Sequence, residues 1–185
     1  AATYDKLFKK LIKLFTIGIN PHVLLCIYGS IYFGALAIMY SSSAFGLLAI
    51  GFVVSSTGFV IYHSSLCVAL GVDKEEHLAT VIFSNLVMLS VYSAIKINGI
   101  DIPYLEHFTI GIEYLCSLAL GICLLIAASP FINFHDNKAK STFAISTILM
   151  FVCSILALMG SVFYGLTTIA AFLNTMFILY LFEWF

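Results

Sequence analysis

Apolar residues run along the chain in long blocks that are separated by short polar stretches. About 20 consecutive apolar residues are enough to cross the hydrocarbon core of a bilayer as a helix. The pattern therefore predicts an all-α integral membrane protein whose residues 21–185 form one polytopic domain, a bundle of six transmembrane helices. The predicted spans lie at about 23–40, 45–72, 78–97, 108–129, 141–164 and 167–185.

The last two spans depend on a predicted turn. Residues 141–185 number 45 and contain no charge before Glu183. A single straight helix of that length would extend roughly 68 Å, more than twice the hydrocarbon thickness. The chain must therefore turn, and the predicted turn lies at 165–168. Five spans plus a re-entrant segment is the alternative.

The second block, 45–72, is unusually long. As one helix it would extend roughly 42 Å, so we expect it to tilt or to project beyond the hydrocarbon core. The polar residues of 73–77 end it.

Residues 1–20 predict a basic amphipathic helix that precedes the bundle. On a helical projection, leucines and phenylalanines occupy one side, which is typical of a helix lying in the membrane surface. A solvated helix packed on a partner subunit is the alternative. The opposite side carries the lysines that would contact membrane lipids, Lys6, Lys9, Lys10 and Lys13.

The lysines also predict the topology. If the six spans alternate, one side of the membrane receives seven of the eight lysines and the other receives only Lys96. Lysine bias marks the cytoplasmic side or its organellar equivalent. We therefore expect both termini on the cytoplasmic or matrix-equivalent side. A bacterial or organellar inner membrane is the expectation from base rates.

Composition narrows the function classes. Only 9% of the residues are charged, against about 25% in soluble domains. The net charge of −1 gives no reason to expect nucleic acid, and the absence of arginine excludes arginine-rich voltage sensors. No H-E-x-x-H, Walker A or G-x-S-x-G motif is present. We therefore expect no enzyme, no catalytic residues and no metal site.

Small residues recur at four-residue spacing, as in Gly51/Ser55, Ser117/Gly121 and Ala157/Ser161/Gly165. Such pairs allow the backbones of neighbouring helices to approach closely. They predict that the spans pack on one another.

Glu113 is the acid that interrupts an otherwise apolar span, roughly 7 Å from its lysine-poor end. Lys96 emerges at the same side of the membrane. A buried ion pair between them is the first interpretation. A proton- or cation-handling carboxylate with a raised pKa is the second. Contact with a lipid, a quinone or another ligand is the third.

His63 is the one histidine placed well inside a predicted span. Haem ligation is one interpretation, but the other histidines fall at span ends and offer no second axial ligand at the same depth. The other interpretation is a neutral histidine that hydrogen-bonds Asn85 on the next span. No other cofactor is expected.

Three functions are consistent with these features. The first is a non-catalytic subunit that packs within a larger membrane complex, such as an accessory subunit of a respiratory or ATP-synthase-type assembly. The second is a small channel or secondary transporter, as a homo-oligomer, with Glu113, His63, Asn85 and Asn174 lining a polar path. The third is a haem- or quinone-binding redox subunit.

Overall fold

The computed structural model describes residues 21–63, 68–72, 75–129 and 137–184, and it describes side chains at 21–60, 77–129 and 144–182. The predicted surface helix at 1–20, with Lys6, Lys9, Lys10 and Lys13, lies outside these residues. Within them the chain forms six helices and one β-hairpin. In chain order these are α1 (Pro21–Met39), α2 (Ser43–Ser56), β1 (Phe59–His63), β2 (Val68–Val72), α3 (Glu75–Ile97), α4 (Glu106–Ala128), α5 (Asn137–Tyr164) and α6 (Thr167–Trp184).

Four of the described helices are long and apolar enough to cross a membrane. They are Pro21–Met39, His77–Ile97, Glu106–Ala128 and Ala144–Tyr164. The apolar parts of α2 and α6, Ser43–Ser56 and Thr167–Phe182, are shorter. At 1.5 Å per residue, α2 extends roughly 21 Å, which is less than the thickness of the hydrocarbon core. The chain is thus an integral membrane protein by its helices, but the six-span count is not confirmed.

The second predicted span, 45–72, differs most from the structure. Its helix ends at Ser56, and Gly58 then takes a φ of +104°, a left-handed conformation that favours glycine. The chain continues as an antiparallel hairpin in which Phe59 pairs with Val72 and His63 with Val68. The residues after Gly58 are aromatic and β-branched, which suits a strand. His63 therefore lies on a strand and not inside a helix.

Helix α4 is the central element of the bundle. Of its membrane-length window, 61% is buried, against 17% for α1 and 22% for α3. It contacts α2, α3, α5 and α6. Its fully buried positions hold small residues and leucine, including Cys116, Ala119, Leu120 and Cys123. These side chains let several helices pack around α4 at once.

The closest backbone approach near the start of α4 is made by Gly46 of α2 and Gly111 of α4. A Cβ atom on Gly46 would lie 1.9 Å from the carbonyl oxygen of His107. A Cβ atom on Gly111 would lie 2.9 Å from the side chain of Ile50. Both glycines are therefore required by the contact between the two helices.

Gly165 and Leu166 separate α5 from α6. Gly165 has a φ of +70°, and the Leu166 N–H donates a hydrogen bond to the Gly160 carbonyl, which closes the end of α5. The two helices then pack against each other and against α4.

We predict that Gly46→Ala destabilises the protein by about 3 kcal/mol, because the added methyl group must push the α4 backbone away. The measurement is the free energy of unfolding in detergent micelles, followed by helical circular dichroism. Gly51→Ala is the matched control in the same helix, since its Cβ would lie 3.6 Å from Leu115, an ordinary contact. Equal losses in the two variants would contradict the proposed close crossing.

Candidate functional site

Glu113 and Lys96 form an ion pair between α4 and α3. The Lys96 Nζ atom lies 2.9 Å from the Glu113 Oε1 atom and donates a hydrogen bond to it. The Glu113 side chain is 11% exposed and that of Lys96 is 38% exposed. The carboxylate therefore lies inside the bundle, and the lysine reaches it from the rim.

Two further side chains contact the same carboxylate. The Tyr92 hydroxyl donates a hydrogen bond of 2.5 Å to Glu113 Oε1. Thr168, in the first turn of α6, lies near the same carboxylate. Tyr92 and Lys96 are four residues apart, so they share one face of α3. One carboxylate thus connects α3, α4 and α6.

Glu113 lies within a π-helical turn, Ile112–Cys116, that interrupts α4. A π-turn accommodates one more residue than a regular helical turn, and such turns occur frequently at functional sites. Here it carries the one acid in the apolar part of α4. The position of Glu113 in the turn marks it as the centre of the candidate site.

The arrangement is suited to holding charge in place. A buried carboxylate is tolerated when it is paired and accepts hydrogen bonds, and Glu113 accepts them from an ammonium and a hydroxyl. The geometry therefore contains the partners that the first interpretation of Glu113, a buried ion pair, requires.

A polar cavity of about 460 Å³ opens beside this ion pair. Tyr92 and Lys96 line it, together with residues of the loop between α3 and α4. Glu113 does not line it and lies behind these two side chains. An incoming molecule would therefore meet Lys96 and Tyr92 before the carboxylate.

The two predicted asparagines, Asn85 and Asn174, form hydrogen bonds within their own helices and not with this cluster. The amide nitrogen of Asn85 donates to the Val81 carbonyl at 2.8 Å, and that of Asn174 donates to the Ala170 carbonyl at 2.8 Å. The Asn85 Oδ1 atom is buried and has no hydrogen-bond partner among the described side chains. Among the described side chains, no hydrogen bond joins Asn85 or Asn174 to Glu113.

The haem interpretation of His63 is not tested, because the side chain of His63 lies outside the described ones. Its strand position corrects the helical placement on which the pairing with Asn85 was based. Where side chains are described, no group of three or more histidine, cysteine or acidic residues could hold a metal ion.

Sequence reasoning missed Tyr92 and Thr168. Tyr92 could have been found, since it precedes Lys96 by four residues on the same helix and can reach the same partner. Thr168 carries no such signal, because its contact depends on how α6 packs against α4.

We predict that Lys96→Met destabilises the protein by about 3 kcal/mol, because it leaves a buried carboxylate without its cation. Glu113→Gln should cost less, since the partly exposed Lys96 can turn towards solvent. Unfolding free energies of both single variants and the double variant give the coupling between the residues. If the two losses are additive, with no recovery in the double variant, the ion pair does not stabilise the bundle.

No protein-family model, curated protein or solved structure matches the chain. Functional roles for Glu113 and its partners therefore rest on their contacts in this molecule.

Proposed function

We propose that the protein is a non-catalytic subunit of a larger membrane protein complex, which docks on a transmembrane helix of another subunit through α1. The observation that carries this proposal is the exposure of Tyr28 and Tyr32 at the middle of α1.

The two tyrosines are placed where lipid suits them poorly. Tyr28 is 68% exposed and Tyr32 is 51% exposed, and each is two residues from Ser30, the midpoint of α1. Two residues correspond to roughly 3 Å along the helix axis. Membrane tyrosines are enriched at the two interfaces, where the hydroxyl reaches water. Both hydroxyls of α1 would instead face the centre of the hydrocarbon core.

These hydroxyls also lack partners within the chain. The two rings stack on each other with centroids 6.2 Å apart, but among the described residues neither hydroxyl has a hydrogen-bond partner. Leaving a hydroxyl unbonded in an apolar medium costs roughly 2–7 kcal/mol. Lipid tails have no acceptors, so a protein partner is the natural source of them.

The expected partner is a transmembrane helix that presents acceptor groups at mid-membrane depth. Serine, threonine, asparagine or glutamine side chains provide such groups between helices. Around the tyrosines the face is apolar, with Leu25 and Ile31 both more than 60% exposed. The partner helix should therefore be apolar apart from those acceptors.

A subunit role is favoured over a channel by the state of the polar residues. The Glu113 carboxylate is already occupied by Lys96 and Tyr92, and the two asparagines bond within their own helices. Respiratory and ATP-synthase-type assemblies are the class of complex that we favour, since they contain many small non-catalytic subunits.

The test is co-purification from the native membrane in mild detergent, with native gels and quantification of the recovered partners. We predict that the double variant Tyr28→Phe, Tyr32→Phe recovers about tenfold less partner, because two interhelical hydrogen bonds of about 0.7 kcal/mol each are lost. Its thermal midpoint should be unchanged, because the rings are retained.

Tyr164→Phe is the matched control, since Tyr164 is also exposed but lies at the end of α5. A wild-type chain that purifies as a stable monomer would overturn the proposal. If the recovered complex contains only copies of this chain, the protein is a homo-oligomer and not a subunit of a larger complex.

A further inference from the structure

The cavity beside Lys96 presents opposite charges to the same space. It lies between the ends of α3 and α4, and its volume is about 460 Å³, within the range of small-molecule sites. Its polar lining consists mainly of Tyr92, Lys96, Asp101, Tyr104, Glu106 and Thr109.

Lys96 supplies the cationic wall. A lysine ammonium has three donors, and Glu113 engages one of them. The Lys96 side chain is 38% exposed and lines the cavity. The ammonium therefore has donors available to an anionic group in the cavity.

Asp101 and Glu106 supply the anionic wall, and the aromatic ring of Tyr104 lines the same cavity. Both acids are exposed, and the Tyr104 ring is 56% exposed. Carboxylates together with an aromatic ring are suited to an ammonium group. Among the described residues the Asp101 carboxylate has no hydrogen bond or ion pair, so its charge can face a ligand.

We propose that this cavity binds the headgroup of a zwitterionic phospholipid, with its phosphate at Lys96 and its ammonium among Asp101, Glu106 and Tyr104. A simple anion would be repelled by the two acids, and a simple cation by the lysine. A molecule that carries both charges satisfies both walls.

The surroundings favour a lipid over a soluble zwitterion. The loop 98–105 joins two helices of membrane-spanning length, so it lies at a membrane boundary. Ile95, Ile100 and Ile102 also line the cavity and offer an apolar wall to the glycerol backbone and the first methylene groups.

The experiment uses the full chain in detergent and native mass spectrometry. Phosphatidylethanolamine and phosphatidylglycerol with identical acyl chains compete for the protein. We expect the ethanolamine lipid to be retained about fivefold more than the glycerol lipid, from two partly exposed charge contacts. In the double variant Asp101→Asn, Glu106→Gln this ratio should fall to about one.

Glu183→Gln is the charge-matched control for the single variant Asp101→Asn, because each removes one carboxylate and Glu183 lies near the end of α6, about four helical turns after Thr168. It should keep the wild-type ratio, and so should the double variant Tyr28→Phe, Tyr32→Phe. If the double acid variant does not fold, Asp101→Asn alone should lower the logarithm of the ratio by about half.

Two kinds of result would overturn the proposal. The first is a wild-type ratio near one, or a ratio that the acid variants leave unchanged. The second is displacement of the lipid by glycerophosphoethanolamine at comparable concentration, which would assign the cavity to a soluble zwitterion.

Discussion

A carboxylate inside an apolar bundle is the constraint on which the arrangement of α3, α4 and α6 depends. Glu113 cannot stay charged in that position unless other helices bring donors to it. Lys96 and Tyr92 come from one face of α3, and Thr168 comes from the first turn of α6. The three helices therefore meet at one defined position along their axes. Apolar packing is non-directional and could not specify that position by itself.

The other half of the bundle is positioned by shape instead of charge. Gly46 and Gly111 allow α2 to touch the backbone of α4. α2 in turn is the main neighbour of α1, whose outer face is left to lipid or protein. The functional proposals follow from this division. The exposed tyrosines of α1 mark a surface for a protein partner, while the cavity beside Lys96 belongs to the charged end of α3.

Much of the membrane character could be predicted from residue order. The blocks of apolar residues identify the long helices, and the lysine at position 96 with the acid at 113 indicates an ion pair between neighbouring spans. The hairpin at 59–72 was not predictable in the same way, because an apolar run suits a buried helix and a buried strand equally well. Gly58 was the available signal. The four-residue spacing of small residues selected Gly51, whereas the tight contact lies at Gly46. Spacing alone does not say which neighbouring helix a residue faces.

The sequence by itself determined that this chain belongs in a membrane and that Glu113 needs a compensating partner, since both follow from the free energy of transferring residues out of water. The tertiary structure added Tyr92 and Thr168 to Lys96, the partner that the sequence already indicated. The position of Thr168 beside Glu113 depends on contact between distant parts of the chain, and the cavity that Lys96 and Asp101 both line depends on how α3 and α4 are arranged. Such contacts arise from how whole helices pack, and no local pattern of residues encodes them.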